Sequence, residues 1–272
     1  MHRSFLYVPG DRPDRIAKAL ATAADAVIAD LEDAVAHANK AAARATVAEA
    51  VTRAATRPDG DGGPELLVRV NNDDALADDL AAVVAAGCRA IYLPKADLDS
   101  LTMLTVLLAA LPDEAALPDQ AALLDQAASP AGGSFQVVAL IETARGLLDV
   151  EPVAAHPLVR NLAIGEADLV AELAMDPSPD RRELTALRTS LVVASAAAGI
   201  DSPTGPVNTD FRDLDALRSD TEALARMGFG ARSAIHPAQV PVINEVFTPS
   251  PEEVAEAREL VEQHDAHLAS GT

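Results

Sequence analysis

The chain has 272 residues, of which 21 are Lys or Arg and 42 are Asp or Glu, so its formal net charge is −21. A surface this acidic repels phosphate backbones, and aromatic residues make up only 3% of the chain, which argues against a nucleic-acid-binding protein. The single cysteine, Cys88, excludes an internal disulfide and a cysteine-rich zinc site. No apolar run approaches the ~18 residues of a membrane span, and the N-terminal stretch 5–10 is too short for a signal sequence. We therefore expect a cytoplasmic protein with no membrane partner.

Short apolar runs alternate along the chain with longer Ala-rich stretches of helical periodicity. A first strand, stopped by Pro9-Gly10, is followed by a helix predicted from about Pro13. The apolar runs predict strands at residues 4–8, 26–29, 66–71, 90–94, 137–141, 162–164, 199–201 and 232–235, of which the seventh is the weakest. Longer helices are predicted at residues 39–56, 74–86, 182–198 and 213–227.

Eight strands separated by helices predict an α/β fold, a single (β/α)8 barrel spanning residues 1–272. The strands are almost entirely apolar, as expected when both faces of a parallel sheet are covered. A doubly wound sheet is the structural alternative, but no G-x-G-x-x-G motif follows the first strand. The Pro- and Gly-interrupted residues 112–134 predict a surface excursion, and residues 251–268 predict an amphipathic tail helix.

Active-site side chains of such a barrel lie where the strands end. Several carboxylates at one mouth would repel each other unless a cation balanced them, and oxygen ligands favour a hard ion, Mg²⁺ or Mn²⁺. Glu142 and Asp168 follow adjacent strands, so we predict that they bind one ion together. The alternative is that these carboxylates cap helices or pair with Arg145 and Lys95. Further polar residues at predicted strand ends are Glu32, Asp33, Arg69, Asn71, Glu166 and His236.

Arg69 stands between Val68 and Val70 in an apolar strand, where a solvated charge has no reason to be. Strand alternation directs its side chain opposite to theirs, and near the strand end that direction leads to the barrel mouth. A buried arginine needs an anionic partner. The candidates are Glu32, Glu142 and a substrate oxygen.

Seven short motifs in register carry a resemblance to a known family. The chain resembles the citrate lyase β-subunit (CitE-like) branch of the HpcH/HpaI aldolase superfamily, to which malyl-CoA and citramalyl-CoA lyases belong. The resemblance covers about residues 3–262. The motifs are Arg3-Ser4-Phe5-Leu6-Tyr7-Val8-Pro9-Gly10, Asp30-Leu31-Glu32-Asp33-Ala34-Val35, Val68-Arg69-Val70-Asn71, Leu93-Pro94-Lys95, Ile141-Glu142-Thr143-Ala144-Arg145-Gly146, Gly165-Glu166-Ala167-Asp168-Leu169 and Ile235-His236-Pro237-Ala238-Gln239-Val240.

The resemblance implies a TIM barrel with Mg²⁺ held by Glu142 and Asp168. It implies that Arg69 contacts the oxygen that becomes the enolate or keto oxygen, and that Glu32 and Asp33 hold water molecules of the metal ion. Backbone amides from Gly165 through Glu166 and Ala167 to Asp168 would bind the carboxylate of a keto acid. The resemblance also implies a homo-oligomer, a trimer or a multiple of it.

The implied activity is a Mg²⁺-dependent carbon–carbon lyase or ligase that acts on a 3-hydroxyacyl thioester, with a small keto acid as the other partner. The thioester would be carried by CoA or by an acyl carrier protein. The lyases of the family carry a C-terminal segment with a hydrophobic-Asp-x-Pro motif, and these 272 residues show no such motif. Two other interpretations therefore stay open: a class II aldolase using a keto acid and a free aldehyde, and a non-catalytic subunit that binds acyl thioesters.

Two further groups of charged residues lie outside these motifs. Arg12, Lys18, Lys40 and Arg44 either bind CoA phosphates or are solvated helix charges. The acidic pairs Asp73-Asp74 and Asp78-Asp79 are predicted to form a solvated helix face.

Overall fold

The computed structural model of the chain describes residues 2–56, 63–111 and 135–270, without the side chains of residues 266 and 268–270. Within these ranges, eight parallel strands close into a barrel in which each strand pairs with its neighbours in sequence and the eighth pairs with the first. The predicted TIM barrel is therefore confirmed. The strands are β1 (Ser4–Pro9), β2 (Ala26–Asp30), β3 (Glu65–Arg69), β4 (Ala90–Leu93), β5 (Gln136–Ile141), β6 (Val159–Ile164), β7 (Asp201–Gly205) and β8 (Ala231–Ala234).

Helices follow the strands and cover the outside of the barrel. The described helices are α1 (Pro13–Ala19), α2 (Lys40–Ala55), α3 (Leu76–Ala85), α4 (Leu98–Ala109), α5 (Ala144–Leu148), α6 (Val150–Ala154), α7 (Glu166–Glu172), α8 (Thr185–Ala198), α9 (Leu214–Met227), α10 (Gln239–Val246) and α11 (Pro251–Ser270). The predicted excursion at residues 112–134 lies outside the described residues. None of the described helices combines the length and the apolar character that a membrane span needs.

Strand alternation divides the apolar side chains into two clusters. One lies inside the barrel and includes Phe5, Leu67 and Tyr92, while the larger one lies between the sheet and the helices and includes Val68 and Val70. Because Arg69 follows Leu67 by two residues, its side chain also points to the inside, away from those of Val68 and Val70.

Two strand positions differ from the prediction. The seventh strand begins at Asp201 because Gly199, in the left-handed conformation (φ 69°), ends α8 first. The sixth begins at Val159, three residues earlier than predicted. The polar residues Arg160 and Asn161 concealed that start. Asn161 is buried and donates a hydrogen bond to Thr204 Oγ1 at 2.9 Å instead of interrupting the strand.

The tail helix is present as α11, over Pro251–Ser270. Its described side chains from 251 to 265 are all exposed. Leu260 and Val261 are 68% and 58% exposed, so the apolar residues of this helix are not covered within one chain.

The opposite end of the barrel, where the strands begin, carries an ion-pair cluster around Glu65. The Glu65 carboxylate contacts His2 and accepts a hydrogen bond from Arg160 Nη1 at 3.0 Å. Burial alone would raise the pKa of Glu65, but the hydrogen bonds and charges of His2 and Arg160 outweigh burial and lower it to about 2.

The depressed pKa predicts a pH-dependent contribution of Glu65 to stability. A carboxyl whose pKa is lower in the folded chain stabilises the protein above its unfolded-state pKa, and the stabilisation is lost as the pH falls towards about 2. Glu65→Gln should therefore lower the melting temperature at pH 7, and the difference from wild type should shrink between pH 4.5 and pH 2. Glu49→Gln is the control, because Glu49 forms an exposed pair with Arg53 on α2. A difference independent of pH would contradict this account.

Candidate active site at the barrel mouth

Arg69 ends β3 beside Asp30, which ends β2, since the two residues are partners in the strand register. The guanidinium donates two hydrogen bonds to the Asp30 carboxylate, from Nε to Oδ1 at 2.7 Å and from Nη2 to Oδ2 at 2.6 Å. Asp30 also accepts hydrogen bonds from the backbone N–H groups of Glu32 and Ala34, at 2.9 and 3.0 Å. Asp30 therefore fixes both the arginine and the turn after β2.

The anionic partners of Arg69 match the prediction in part, since Glu32 was among the predicted partners and Asp30 was not. The bidentate partner of Arg69 is Asp30, which the sequence analysis did not include in the site, and Glu32 is a second partner at 2.9 Å from Nη1. Within the described residues, no ion pair joins Arg69 to Glu142, because Glu142 follows β5, two strands further along the barrel. Asp30 is the last residue of β2, the strand next to β3, and this position was the signal that could have identified it as a partner of Arg69.

The Arg69 side chain is largely buried and remains positively charged. Its side chain is 11% exposed, and its guanidinium lies 5.1 Å above the centre of the Tyr7 ring. Burial by itself would lower the pKa of Arg69, but the hydrogen bonds to Asp30 and the nearby negative charges raise it above its ordinary value. The chain therefore places a permanent, oriented positive charge in the mouth.

Lys95 links the carboxylates of Glu32 and Glu142. Its Nζ lies 2.5 Å from Glu32 Oε1, and its backbone N–H donates to Glu142 Oε1 at 2.9 Å. The Lys95 backbone is left-handed (φ 49°), and Asn72 Nδ2 holds the turn by donating to Pro94 O at 2.9 Å. The pairing of Glu32 with Lys95 matches the structural alternative considered for these carboxylates, whereas Arg145 pairs with Asp149.

Burial raises the pKa of Glu32, and Asp33 adds to this, while Arg69 and Lys95 act against it. Glu32 Oε2 is buried and has no hydrogen-bond partner within the described part of the chain, although Arg69 Nη1 lies close to it. A buried oxygen in this state is able to accept a hydrogen bond from a water or a ligand. Asp33 is 67% exposed at the rim, with Oδ2 at 3.7 Å from Arg69 Nη1.

Glu142 and Asp168 border one cavity. Glu142 is 4% exposed, and burial, with the negative charges of Glu32 and Asp168, raises its pKa to about 8. Asp168 is exposed, on the first turn of α7. Gly165 packs against Glu142 so closely that a Cβ there would lie 2.5 Å from Glu142 Cβ. The close approach requires glycine and brings the start of α7 next to the Glu142 carboxylate.

The fit of this pair to a hard cation rests on its charges and donor atoms. Like charges and burial destabilise the ionised form of Glu142, and a divalent ion between Glu142 and Asp168 would remove that penalty. Carboxylate oxygens are the donors that Mg²⁺ prefers. No group of three or more His, Cys, Asp or Glu able to hold a metal occurs among the described residues. An ion held by this pair would therefore keep positions free for water and substrate.

The side chain of Glu166 has a structural role. It is 3% exposed and accepts hydrogen bonds from Arg188 Nε at 2.6 Å and Nη2 at 3.0 Å, which ties α7 to α8. The backbone N–H groups at the start of α7, including that of Ala167, have no intrahelical acceptor. The backbone N–H of Gly165 already donates to Ile141 O at 2.9 Å, so it is not available for the carboxylate binding that the resemblance implies. Only the backbone N–H groups of Glu166 and Ala167 are suited to it.

The cavity has a volume of about 760 Å³. It is bordered by acidic residues, by Arg69 and by an apolar part with Leu140, Ile164, Val207 and Ile235. Its size is that of a small-molecule site.

A hydrogen-bond network beneath the turn after β2 was missed by the sequence analysis. Lys40 Nζ donates to the backbone oxygens of Leu31 and Glu32, each at 2.9 Å, and to Asn71 Oδ1 at 2.6 Å. Asp79 accepts from Asn71 and, at 2.8 Å, from Arg44 Nε.

This network corrects two earlier predictions. Asp79 is 1% exposed, so it does not belong to a solvated helix face. Lys40 and Arg44 are bonded to the protein and are neither solvated helix charges nor free for CoA phosphates. Buried charge is stable at Asp79 because Arg44 neutralises it and Asn71 donates to it.

The network predicts that Lys40→Met lowers both stability and turnover. Loss of three hydrogen bonds from a cation should cost about 2–3 kcal/mol, a fall in melting temperature of about 5–10 °C. Turnover should fall with it, because Lys40 holds the backbone that positions Glu32. The control is Lys18→Met, an exposed lysine on α1. Equal melting temperatures of Lys40→Met and wild type would show that the network carries no stability.

A closed parallel barrel with carboxylates and an oriented arginine at its mouth is an arrangement suited to aldolase or lyase chemistry. The HpcH/HpaI aldolase/citrate lyase family matches residues 3–237, and the chain belongs to this family. The predictions of the family and of the lyase class are confirmed by relatives named as lyases.

The relatives and related structures cover most of the chain. It is 35% identical to a (3S)-malyl-CoA thioesterase of Cereibacter sphaeroides, over 93% of the chain and 79% of the relative. It is 28% identical to the citrate lyase subunit beta of Leuconostoc mesenteroides subsp. cremoris, over 96% and 82%. The crystal structure of CitE from Mycobacterium tuberculosis in complex with magnesium, acetoacetate and coenzyme A aligns with a TM-score of 0.71 and 30% identity, over 97% of the chain and 87% of CitE.

Proposed function

We propose that this lyase splits a 3-hydroxyacyl thioester, carried by CoA or an acyl carrier protein, into an acyl thioester and a small keto acid, or joins the two. The observation that supports this most strongly is the arrangement of Arg69, Glu142 and Asp168 around one cavity. The proposal is also supported by related CitE structures in complex with coenzyme A, with pyruvate and with oxaloacetate.

In the cleavage direction, the bond between C2 and C3 of the acyl group breaks and its electron pair moves towards the thioester carbonyl. The C3 hydroxyl loses its proton and becomes the keto group, and C2 of the resulting enolate takes up a proton from solvent to give the acyl thioester, so that no net proton is gained or lost. Negative charge thus grows on an oxygen, and Arg69 donates an N–H to that oxygen from a guanidinium already fixed by Asp30. Because the fork is oriented before the reaction, little reorganisation is needed as the charge develops.

Glu142 and Asp168 would hold Mg²⁺, which polarises a substrate oxygen when bound. Magnesium is present in the related CitE structures, and Mn²⁺ has the same preference for oxygen donors. Glu32 and Asp33 lie 2.9 and 3.7 Å from Arg69 Nη1 and would accept hydrogen bonds from water there. The backbone N–H groups of Glu166 and Ala167 would bind the keto-acid carboxylate, whereas that of Gly165 is bonded to Ile141 O.

The test is turnover of a panel of 3-hydroxyacyl-CoA esters, including (3S)-malyl-CoA and citramalyl-CoA, with and without Mg²⁺. Keto acid and acyl-CoA without free thiol are the expected products. Free CoA thiol with no keto acid would instead identify a thioesterase, a second candidate that the 35% identity to malyl-CoA thioesterases favours. Turnover only of a keto acid with a free aldehyde would identify a class II aldolase, and binding without turnover a non-catalytic subunit.

We also infer a homo-oligomer, a trimer or a multiple of it. The exposed apolar residues of α11, Val254, Leu260 and Val261, support a contact between copies. Sedimentation at micromolar concentration should give a mass of at least three chains. Leu260→Glu with Val261→Glu should reduce that mass, and a wild-type monomer would refute the assembly.

A further inference from the structure

Two basic residues occur among the described residues that line the cavity, Arg69 and Arg181. Arg69 is engaged by Asp30 and Glu32. Arg181 lies between α7 and α8, and its side chain is 49% exposed. The two arginines therefore differ: one is fixed by the protein, and the other is open to a ligand.

The positive charge of Arg181 is not required to neutralise its protein partner, Glu166. Its described side-chain contact is a hydrogen bond from Nη1 to Glu166 Oε2 at 3.1 Å. Arg188 already neutralises Glu166 through two hydrogen bonds and is itself 10% exposed. Glu166 therefore lies between two guanidinium groups, and its single negative charge does not neutralise both of them.

The backbone fixes where Arg181 stands. Arg181 is left-handed (φ 51°, ψ 27°), a conformation that is unfavourable for a residue with a Cβ. Its N–H donates to Ser178 O at 2.9 Å, and Ser178 Oγ is bonded to Asp180 and Glu183. A strained conformation held by such surroundings is a feature found at binding sites.

The topology places Arg181 away from part of the acidic lining. Arg181 lies between α7 and α8, after β6, and Asp30 and Asp33 belong to β2 and its loop, four strands away in a closed barrel of eight. Arg181 therefore lies across the mouth from these two carboxylates, while Glu142 and Asp168, after β5 and β6, lie on its own side. An elongated substrate would span the mouth with its anionic end at Arg181.

We infer that Arg181 is a specificity residue that binds an anionic oxygen group, a carboxylate or a phosphate, of the substrate. This inference rests on the proposed function for the nature of the substrate. A guanidinium with unused N–H groups is suited to both kinds of anion, since its fork matches their paired oxygens. Arg181 would thereby select between charged and uncharged partners of the same reaction.

The test is calorimetric binding of coenzyme A, oxaloacetate and pyruvate, each with Mg²⁺. Arg181→Gln should weaken the binding of at least one by about 10–100-fold, the usual loss for a hydrogen bond to a charged group. Arg181→Lys should recover part of the affinity. Arg182→Gln is the matched control, since Arg182 is 75% exposed and is not among the described lining residues.

The ligand whose binding weakens identifies the anion. A loss for coenzyme A alone indicates a phosphate, and a loss for a keto acid indicates a carboxylate. Arg181→Gly removes the charge and suits the left-handed backbone, so it should fold and bind like the Gln variant.

Unchanged affinities for all three ligands in folded variants would overturn the inference, as would a wild-type protein that binds none of them. Absence of turnover in a wild-type protein that binds these ligands would count against the proposed reaction alone.

Discussion

Lysine at position 69 should give a folded protein whose turnover is lower by about 10²–10³-fold, the usual loss for one donor to a developing oxyanion. A lysine retains the charge but has no planar fork, so it cannot contact both Asp30 oxygens and still present an oriented N–H to the substrate. The affinity for Mg²⁺ should stay close to wild type, because Glu142 and Asp168 are unchanged.

The Arg69→Lys variant also has a cost in stability. Two hydrogen bonds to a buried carboxylate are reduced to one, which should lower the free energy of unfolding by about 1–3 kcal/mol. Turnover must therefore be compared per folded molecule. Arg145→Lys serves as the control, since Arg145 forms an exposed pair with Asp149. A folded Arg69→Lys protein with near-normal turnover on its substrate would refute the catalytic role.

Alanine at Glu142 or Asp168 should abolish the thermal stabilisation of the protein by Mg²⁺ and its Mg²⁺-dependent turnover. For wild type, Mg²⁺ at about 100 times its Kd should stabilise the fold by about 2.7 kcal/mol, a rise in melting temperature of about 5–10 °C. Both variants lose one of the two carboxylates proposed to hold the ion. Differential scanning fluorimetry across a Mg²⁺ titration measures this shift directly.

Loss of negative charge alone must be separated from loss of a ligand. Glu151→Ala removes an exposed carboxylate from α6 and should keep the full Mg²⁺ shift. If Glu142→Ala and Asp168→Ala shifted as wild type does, the proposed ligands would be wrong.

The strand order and the barrel were determined by patterns that are local in sequence. Short apolar runs such as that at Ala26–Asp30 fit a sheet covered on both faces, and the Ala-rich stretches between them fit helices. Where polar residues interrupted the pattern, as Arg160 and Asn161 do in β6, the strand start was misplaced. The hydrogen bond from Asn161 to Thr204 joins residues that are far apart in sequence.

For the site, the sequence predicted which residues reach the mouth, because strand ends and strand alternation follow from the chain itself. Arg69, Glu142 and Asp168 could be singled out in this way. Which groups pair there depends on the register of neighbouring strands, and the register sets Asp30 beside Arg69. It also places Glu142 two strands away, so that the two share a cavity without an ion pair.

Whether a charged side chain is buried or exposed, and which group it pairs with, was decided only by the tertiary structure. Asp79 has the local sequence of a solvated helix face, yet it is buried because α3 packs against α2 and brings Arg44 to it. In the same way, nothing in the local sequence distinguishes Arg181 from Arg188. Arg188 is buried against Glu166, whereas Arg181 faces the cavity. Burial and partnership depend on distances between elements, and the periodicity of one segment contains no information about those distances.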